Sequence, residues 1–179
     1  GVYYNETEGN FISDFTNLGL SSNAKKLINI GRFYLSSYGM TKTNIQNINI
    51  GERNAISNIT ANGSSYWDGM IGLMYHSDFG YSAGNYCVNN VTGTDYSYNC
   101  KDNSWLYLES DDKNSVEYLL GRSDGASKYS VGCITPLGGL SYSPLWAYNQ
   151  TIVRPSFYLT STTSIIDGDG SLNNPYILK

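Results

Sequence analysis

The sequence predicts an α+β fold in which short N-terminal helices are followed by a strand-rich, loop-rich remainder. Three observations carry this. One helix-period segment, Leu20 to Ile30, lies near the N-terminus. Beyond it the apolar residues come in short aromatic and β-branched runs, separated by clusters of Gly, Asn, Asp, Ser or Pro, which is the composition of strands and turns. Two long polar stretches, Asn44 to Ser65 and Asp95 to Asn114, read as surface excursions.

In the helical segment Ser21 or Ser22 can cap the start, Ala24, Leu27 and Ile28 share one face, and Gly31 stops it. Phe11, Phe15 and Leu18, spaced by four and three, predict a second short helix upstream. The predicted strands are Arg32 to Leu35, Met70 to Tyr75, Trp105 to Leu108, Val116 to Leu120, Tyr129 to Ile134 and Val153 to Leu159. Tyr176 to Leu178 is expected to close the sheet. No fixed-period repeat or low-complexity linker is visible, and 179 residues suit a single globular extracellular domain, 1–179, that buries roughly 70% of the unfolded surface.

Composition narrows the function. Ser (23), Asn (20), Gly (19) and Tyr (17) make up 79 of the 179 residues, whereas charged residues make up 15%, so the surface is solubilised by neutral hydrogen-bonding groups. These four residue types also dominate antibody-like binding loops. Eleven basic against fifteen acidic residues, a net charge of -4, leave no electrostatic footprint for DNA or RNA. No apolar run approaches the roughly 18 residues of a membrane span, so the segment is not membrane-spanning. The N-terminus also lacks signal-peptide regions, and a start at Gly1 is expected to follow a removed leader or anchor.

Cys87 and Cys100 bracket twelve residues, Val88 to Asn99, that no hydrophobic core would hold, and a disulfide is the natural staple. Closing a loop of that size contributes about 3 kcal/mol and implies an oxidising compartment. Cys133 sits in the apolar run Ser130 to Ile134 and reads as a buried free thiol. A zinc site made from the three cysteines and His76 lacks any ligand spacing, so no metal and no cofactor are expected.

The block Trp67 to Ser82 carries a Trp, then Ile71-Gly72-Leu73-Met74-Tyr75, then Ser77-Asp78-Phe79-Gly80-Tyr81. The C-terminal part carries Val153-Arg154-Pro155, Phe157-Tyr158-Leu159, Gly168-Asp169-Gly170-Ser171 and Asn174-Pro175-Tyr176. Together with Ser22 to Leu35 and the Cys87, Cys100 and Ser104-Trp105-Leu106-Tyr107 positions, these blocks resemble a poorly characterised family of bacterial surface and pilin-associated domains. The match runs over most of the chain and is loosest from Asn44 to Ser65 and from Tyr107 to Gln150. Relatives usually carry an aromatic "WTLxP"-like strand where this chain reads Val116 to Ser123. The resemblance implies a C-type-lectin-like, formylglycine-generating-enzyme-like scaffold that displays variable loops from a cell surface or pilus. It implies no particular ligand.

Several motifs have plainer explanations. Asp167-Gly168-Asp169-Gly170-Ser171 looks like a fragment of a calcium loop, but the further oxygen ligands and closing Glu are missing, and a glycine turn between strands explains it better. His76 and Asp78 stand two residues apart with no nucleophile motif near them. Arg154 reads as a structural ion pair or a donor to backbone carbonyls. Glu109, Asp111 and Asp112 read as a solvated loop.

The aromatic loops weigh more. Tyr96, Tyr98, Trp105 and Tyr107, then Tyr142, Trp146 and Tyr148, stand in polar, Gly- and Ser-rich surroundings, where Tyr and Trp offer large contact area at low entropic cost. Burial of Trp105 and Trp146 as core anchors is the competing reading. The expected function is therefore a non-catalytic bacterial cell-surface or pilus domain whose loops bind a host or cell-surface protein or glycan. The alternative is the globular part of a pilin, with the loops packing against other pilus subunits. A third reading is a receptor-binding protein whose Asn- and Tyr-rich loops are diversified by a retroelement. An oxidase of formylglycine-generating type would have Cys133 as its only unpaired cysteine, so enzyme activity is not expected.

Overall fold

The structure is a computed structural model that describes residues 3–5, 10–12, 20–34, 37–38, 45–53, 66–83, 102–109, 115–123, 130–136, 138–144, 151–171 and 173–179. In chain order its elements begin with β1 (Tyr3–Asn5), β2 (Asn10–Ile12), α1 (Ser22–Leu27), β3 (Ile28–Asn29), β4 (Gly31–Tyr34) and β5 (Ser37–Tyr38). Then come α2 (Ile45–Arg53), β6 (Tyr66–Gly69), β7 (Gly72–Leu73) and α3 (His76–Ser82). They continue with β8 (Val116–Ser123), β9 (Ser130–Ile134), β10 (Leu140–Pro144) and β11 (Thr151–Val153). The last are β12 (Pro155–Ser156), β13 (Tyr158–Leu159), β14 (Ile165–Asp167) and β15 (Ile177–Leu178). Few, short helices among many short strands make the class α+β. The chain divides into two compact units, one formed by Gly1–Gly31, Asp68–Gly72 and Pro155–Lys179, the other by Arg32–Trp67 and Leu73–Arg154.

The larger unit is built on a five-stranded sheet. β8, β9 and β10 run antiparallel, with Tyr118 opposite Cys133 and Ser141 opposite Cys133 on its other side. On the far side of β8 two short strands lie parallel to it: β11 beside Val116 to Tyr118 and β5 beside Arg122 and Ser123. The core is formed by Ile45 and Ile48 of α2, Met74, Phe79 and Ala83 around α3, and Leu119, Ile134 and Leu140 of the sheet. Leu106 and Tyr107 pack against this core from the chain that precedes β8.

The predicted excursion Asn44 to Ser65 is thus corrected over its first part. Ile45, Ile48 and Glu52 are buried at spacings of three and four, so this Asn-rich segment folds as a helix that anchors the core. Trp105 to Leu108 forms a turn rather than a strand. Only Gly72–Leu73 of the predicted strand Met70 to Tyr75 is strand, and the chain then enters α3, a helix that the local sequence pattern does not signal.

In the smaller unit, α1 starts where expected: the Ser21 side chain accepts from the Ala24 amide at 3.1 Å. Ser21→Ala should cost about 1 kcal/mol by urea denaturation. The helix ends earlier than predicted. Ile28, a buried residue, leaves it to pair in β3 opposite Leu159 of β13, while the Thr160 amide donates to the Leu27 carbonyl at 2.9 Å. A β-branched residue next to an open strand partner favours the extended state over another helical turn. The second predicted helix is also corrected at its start, since Asn10–Ile12 pairs as strand with Tyr3–Asn5. Phe15 and Leu18 lie outside the described residues.

Val153 to Leu159 is split into the ends of three strands, and β15 pairs with β14 instead of closing the main sheet. The turn between β14 and β15 needs its glycines, because Gly168 and Gly170 have φ of 88° and 81°.

Candidate ligand-display site

Ser104 to Tyr107 forms a β-turn closed by the Tyr107 amide donating to the Ser104 carbonyl at 3.1 Å. Each residue of this turn except one is tied down. The buried Ser104 hydroxyl shares a hydrogen bond with the hydroxyl of Ser82 at the end of α3, and Ser82 also donates to the Phe79 carbonyl at 2.6 Å. The Leu106 carbonyl accepts from Arg154 Nη2 at 2.6 Å. The half-buried Tyr107 donates its hydroxyl to the Pro136 carbonyl at 2.7 Å, in the connection between β9 and β10. Trp105 is the exception, with 78% of its surface in water.

Arg154 is itself held. Its Nε and Nη2 reach the two oxygens of Glu117 on β8 at 2.8 and 2.7 Å, a bidentate pair. Glu117 is buried, and burial pushes its carboxyl above the usual range while the Arg154 hydrogen bonds and charge pull it down. The strap therefore runs from the sheet through Glu117 and Arg154 to the backbone beside Trp105. In the same segment of chain, Asp102, Asn103, Leu108 and Glu109 are also exposed.

Of the other sequence-predicted site residues, Tyr142 lies on β10 opposite Gly132. Its side chain, like Tyr96, Tyr98, Trp146, Tyr148, Cys87 and Cys100, lies outside the described residues. Trp105 and Tyr107 are brought onto one turn with opposite fates, one in water and one serving as an anchor. Arg154 is both the ion-pair partner and the carbonyl donor its sequence context suggested. Its link to the Trp105 turn had no signal in the sequence, because Glu117 and Leu106 are 37 and 48 residues away.

A second polar cluster is structural. Glu52, 1% exposed, accepts from the Ser77 amide and lies 3.4 Å from His76 Nδ1. Arg53 donates to Ser77 Oγ at 2.9 Å and Asp78 Oδ1 at 3.0 Å, with its guanidinium 4.4 Å from the Tyr75 ring centre. Asp78 Oδ2 accepts from the Tyr75 amide at 2.9 Å and so closes the first turn of α3. His76 and Asp78 thus face different partners, one inside and one at the helix start.

Cys133 is a buried free thiol whose pKa burial pushes up to about 12. It should not react with Ellman's reagent in the folded protein. In denaturant without reductant a single reactive thiol is expected if Cys87 and Cys100 are bonded, and three would remove that bond. In the Asp167 to Ser171 turn, Asp169 Oδ1 accepts from the Ser171 amide at 2.9 Å, and these Ser171 hydrogen bonds hold its carboxyl below the usual range. Among the described residues no His, Cys, Asp and Glu side chains gather as a metal set, and no helix is long and apolar enough to cross a membrane.

Compared with known protein families, curated proteins and solved structures, the chain matches none.

Proposed function

We propose that this chain is a non-catalytic bacterial surface domain, of C-type-lectin-like fold, that presents Trp105 for adhesion to a protein or glycan of a host or neighbouring cell. The single observation carrying this reading is a Trp that is 78% exposed on a turn whose other three residues are anchored to α3, to Arg154 and to Pro136. Leaving so large an apolar surface in water costs free energy, and an anchored backbone removes much of the ordering entropy that binding would otherwise oppose. The two sequence blocks that resemble bacterial surface domains support the fold and the location, and the expected Cys87 to Cys100 disulfide fits an extracellular setting.

The test is adhesion to arrays of bacterial and host surface polymers and proteins. Trp105→Ala should weaken capture about tenfold or more, while its stability stays within about 0.5 kcal/mol of the wild type because the side chain is exposed. Equal capture by the variant and the wild type would end the assignment.

A further inference from the structure

Resting on that reading, we infer that Glu117 is an acid-sensitive latch on the Trp105 turn, whose protonation frees Arg154 from the Leu106 carbonyl, loosens the turn and weakens capture by Trp105. One guanidinium serves both groups. Arg154 Nη2 donates to Glu117 Oε2 at 2.7 Å and to the Leu106 carbonyl at 2.6 Å, while Nε reaches Glu117 Oε1 at 2.8 Å. The turn is therefore fastened at Leu106 by an arginine whose own place is fixed by a carboxylate.

The neighbours of Glu117 leave the balance of its charge to Arg154. Its paired positions on the adjacent strands are Ile134 of β9 and Ile152 of β11, both apolar. The turn presents the Leu106 carbonyl, and the titratable Tyr107 beside it donates its hydroxyl to the Pro136 carbonyl. Among the described residues, the charged group that meets the carboxylate is Arg154. Burial outweighs the hydrogen bonds and charge of Arg154, so the carboxyl stands above its ordinary value of 4.5 and takes up its proton inside the folded protein. A carboxyl raised in this way costs the fold stability when ionised, and that cost fades as pH falls through its folded pKa. Acid thus reaches this group without unfolding the chain through it.

Once Glu117 is neutral, its two hydrogen bonds to Arg154 lose their charge assistance and about half their strength. The guanidinium keeps its charge with the Leu106 carbonyl as its remaining strong acceptor, and full hydration lies close by, because a quarter of the side chain already reaches water. Rehydration of the arginine removes the donor from Leu106. Ser104 and Tyr107 still hold the two ends of the turn through Ser82 and Pro136, so the turn loosens without unfolding. A loosened turn must be ordered again on binding, which weakens capture by about threefold or more.

The experiment takes the difference between wild type and Trp105→Phe in time-resolved fluorescence, at neutral pH and at about pH 4.5, the ordinary glutamate range. Circular dichroism reports the fold, and array capture is read at both pH values. The Trp105 anisotropy should decay with the whole protein at neutral pH and gain a fast component in acid. Circular dichroism should stay unchanged, and capture should fall by about threefold or more. The double variant Arg154→Ala/Glu117→Gln, compared with the same variant carrying Trp105→Phe, should show the fast component at both pH values. A decay that stays slow in acid, or a double variant that is slow at neutral pH or still responds to pH, would overturn the latch. Loss of the circular dichroism signal along with the fast component would assign the change to unfolding and overturn it too. Trp105-dependent capture that is undiminished in acid would also overturn it and leave the adhesion reading standing. Capture indifferent to Trp105 at neutral pH would instead remove the adhesion reading, and the anisotropy would still decide the latch.

Discussion

Arg154→Ala should cost the fold about 3 kcal/mol at neutral pH, because it strands the buried Glu117 carboxylate and removes the donor to the Leu106 carbonyl. The lower end of the range for broken buried pairs applies, since a quarter of the Arg154 side chain reaches water. The loss should depend on pH with a definite sign. Burial already raises the Glu117 pKa, and Arg154 is the group pulling it down, so the variant's folded-state pKa rises further above its unfolded value. A carboxyl raised in this way penalises the fold above its folded pKa, and the penalty fades as pH falls through that value toward the ordinary glutamate range. Urea denaturation of Arg154→Ala should therefore show a deficit that is largest at neutral pH and shrinks in mild acid. Adding Glu117→Gln should recover much of it at neutral pH. A deficit independent of pH would mean that the charge on Glu117 is not what the arginine compensates.

Gly132→Ala should be comparably costly, about 3 kcal/mol, for a different reason. A Cβ at this position in β9 would overlap the His76 ring, and that ring is 3% exposed with Glu52 at its Nδ1. Overpacking a buried ring with a neighbour on its other side forces the strand or α3 to shift. The cost should depend on the ring. In the background of His76→Ala the added methyl has space, so the double variant should be more stable than the sum of the two single losses by at least about 1 kcal/mol. Additive losses would place the damage in the backbone of β9 rather than against His76.

Much of the scaffold was legible in the sequence and the rest failed for identifiable reasons. Ser21 at the start of α1 and the β-branched and aromatic runs of β8 and β9 were readable because cap chemistry and strand composition are local properties. α2 was lost because Ile48, Asn49 and Ile50 alternate like a strand. Ile50 is in fact exposed, and the signal that mattered was Ile45, Ile48 and Glu52 at helical spacing. α3 has little apolar period in the sequence because it is a helix of seven residues that contains Gly80, with Phe79 its contribution to the core cluster and Ala83 just past its end.

At the site, the sequence marked Trp105 and Tyr107 as aromatics in polar company but had no means of separating them. Their burial is decided by Pro136, Arg154 and Ser82, which are distant in sequence and brought together by the sheet and α3. The same long range hid the role of Arg154, whose partners could be guessed by type and not by position.

Trp105 stands in water on a turn whose other three residues are hydrogen-bonded to Ser82, Arg154 and Pro136. The chain has three tryptophans, so its contribution is isolated as the difference between wild type and Trp105→Phe in time-resolved fluorescence. The expected difference spectrum is red-shifted and readily quenched by acrylamide, with an anisotropy that decays at the rate of the whole protein. A blue-shifted, quencher-resistant component would contradict the exposure, and a fast independent anisotropy decay would contradict the anchoring.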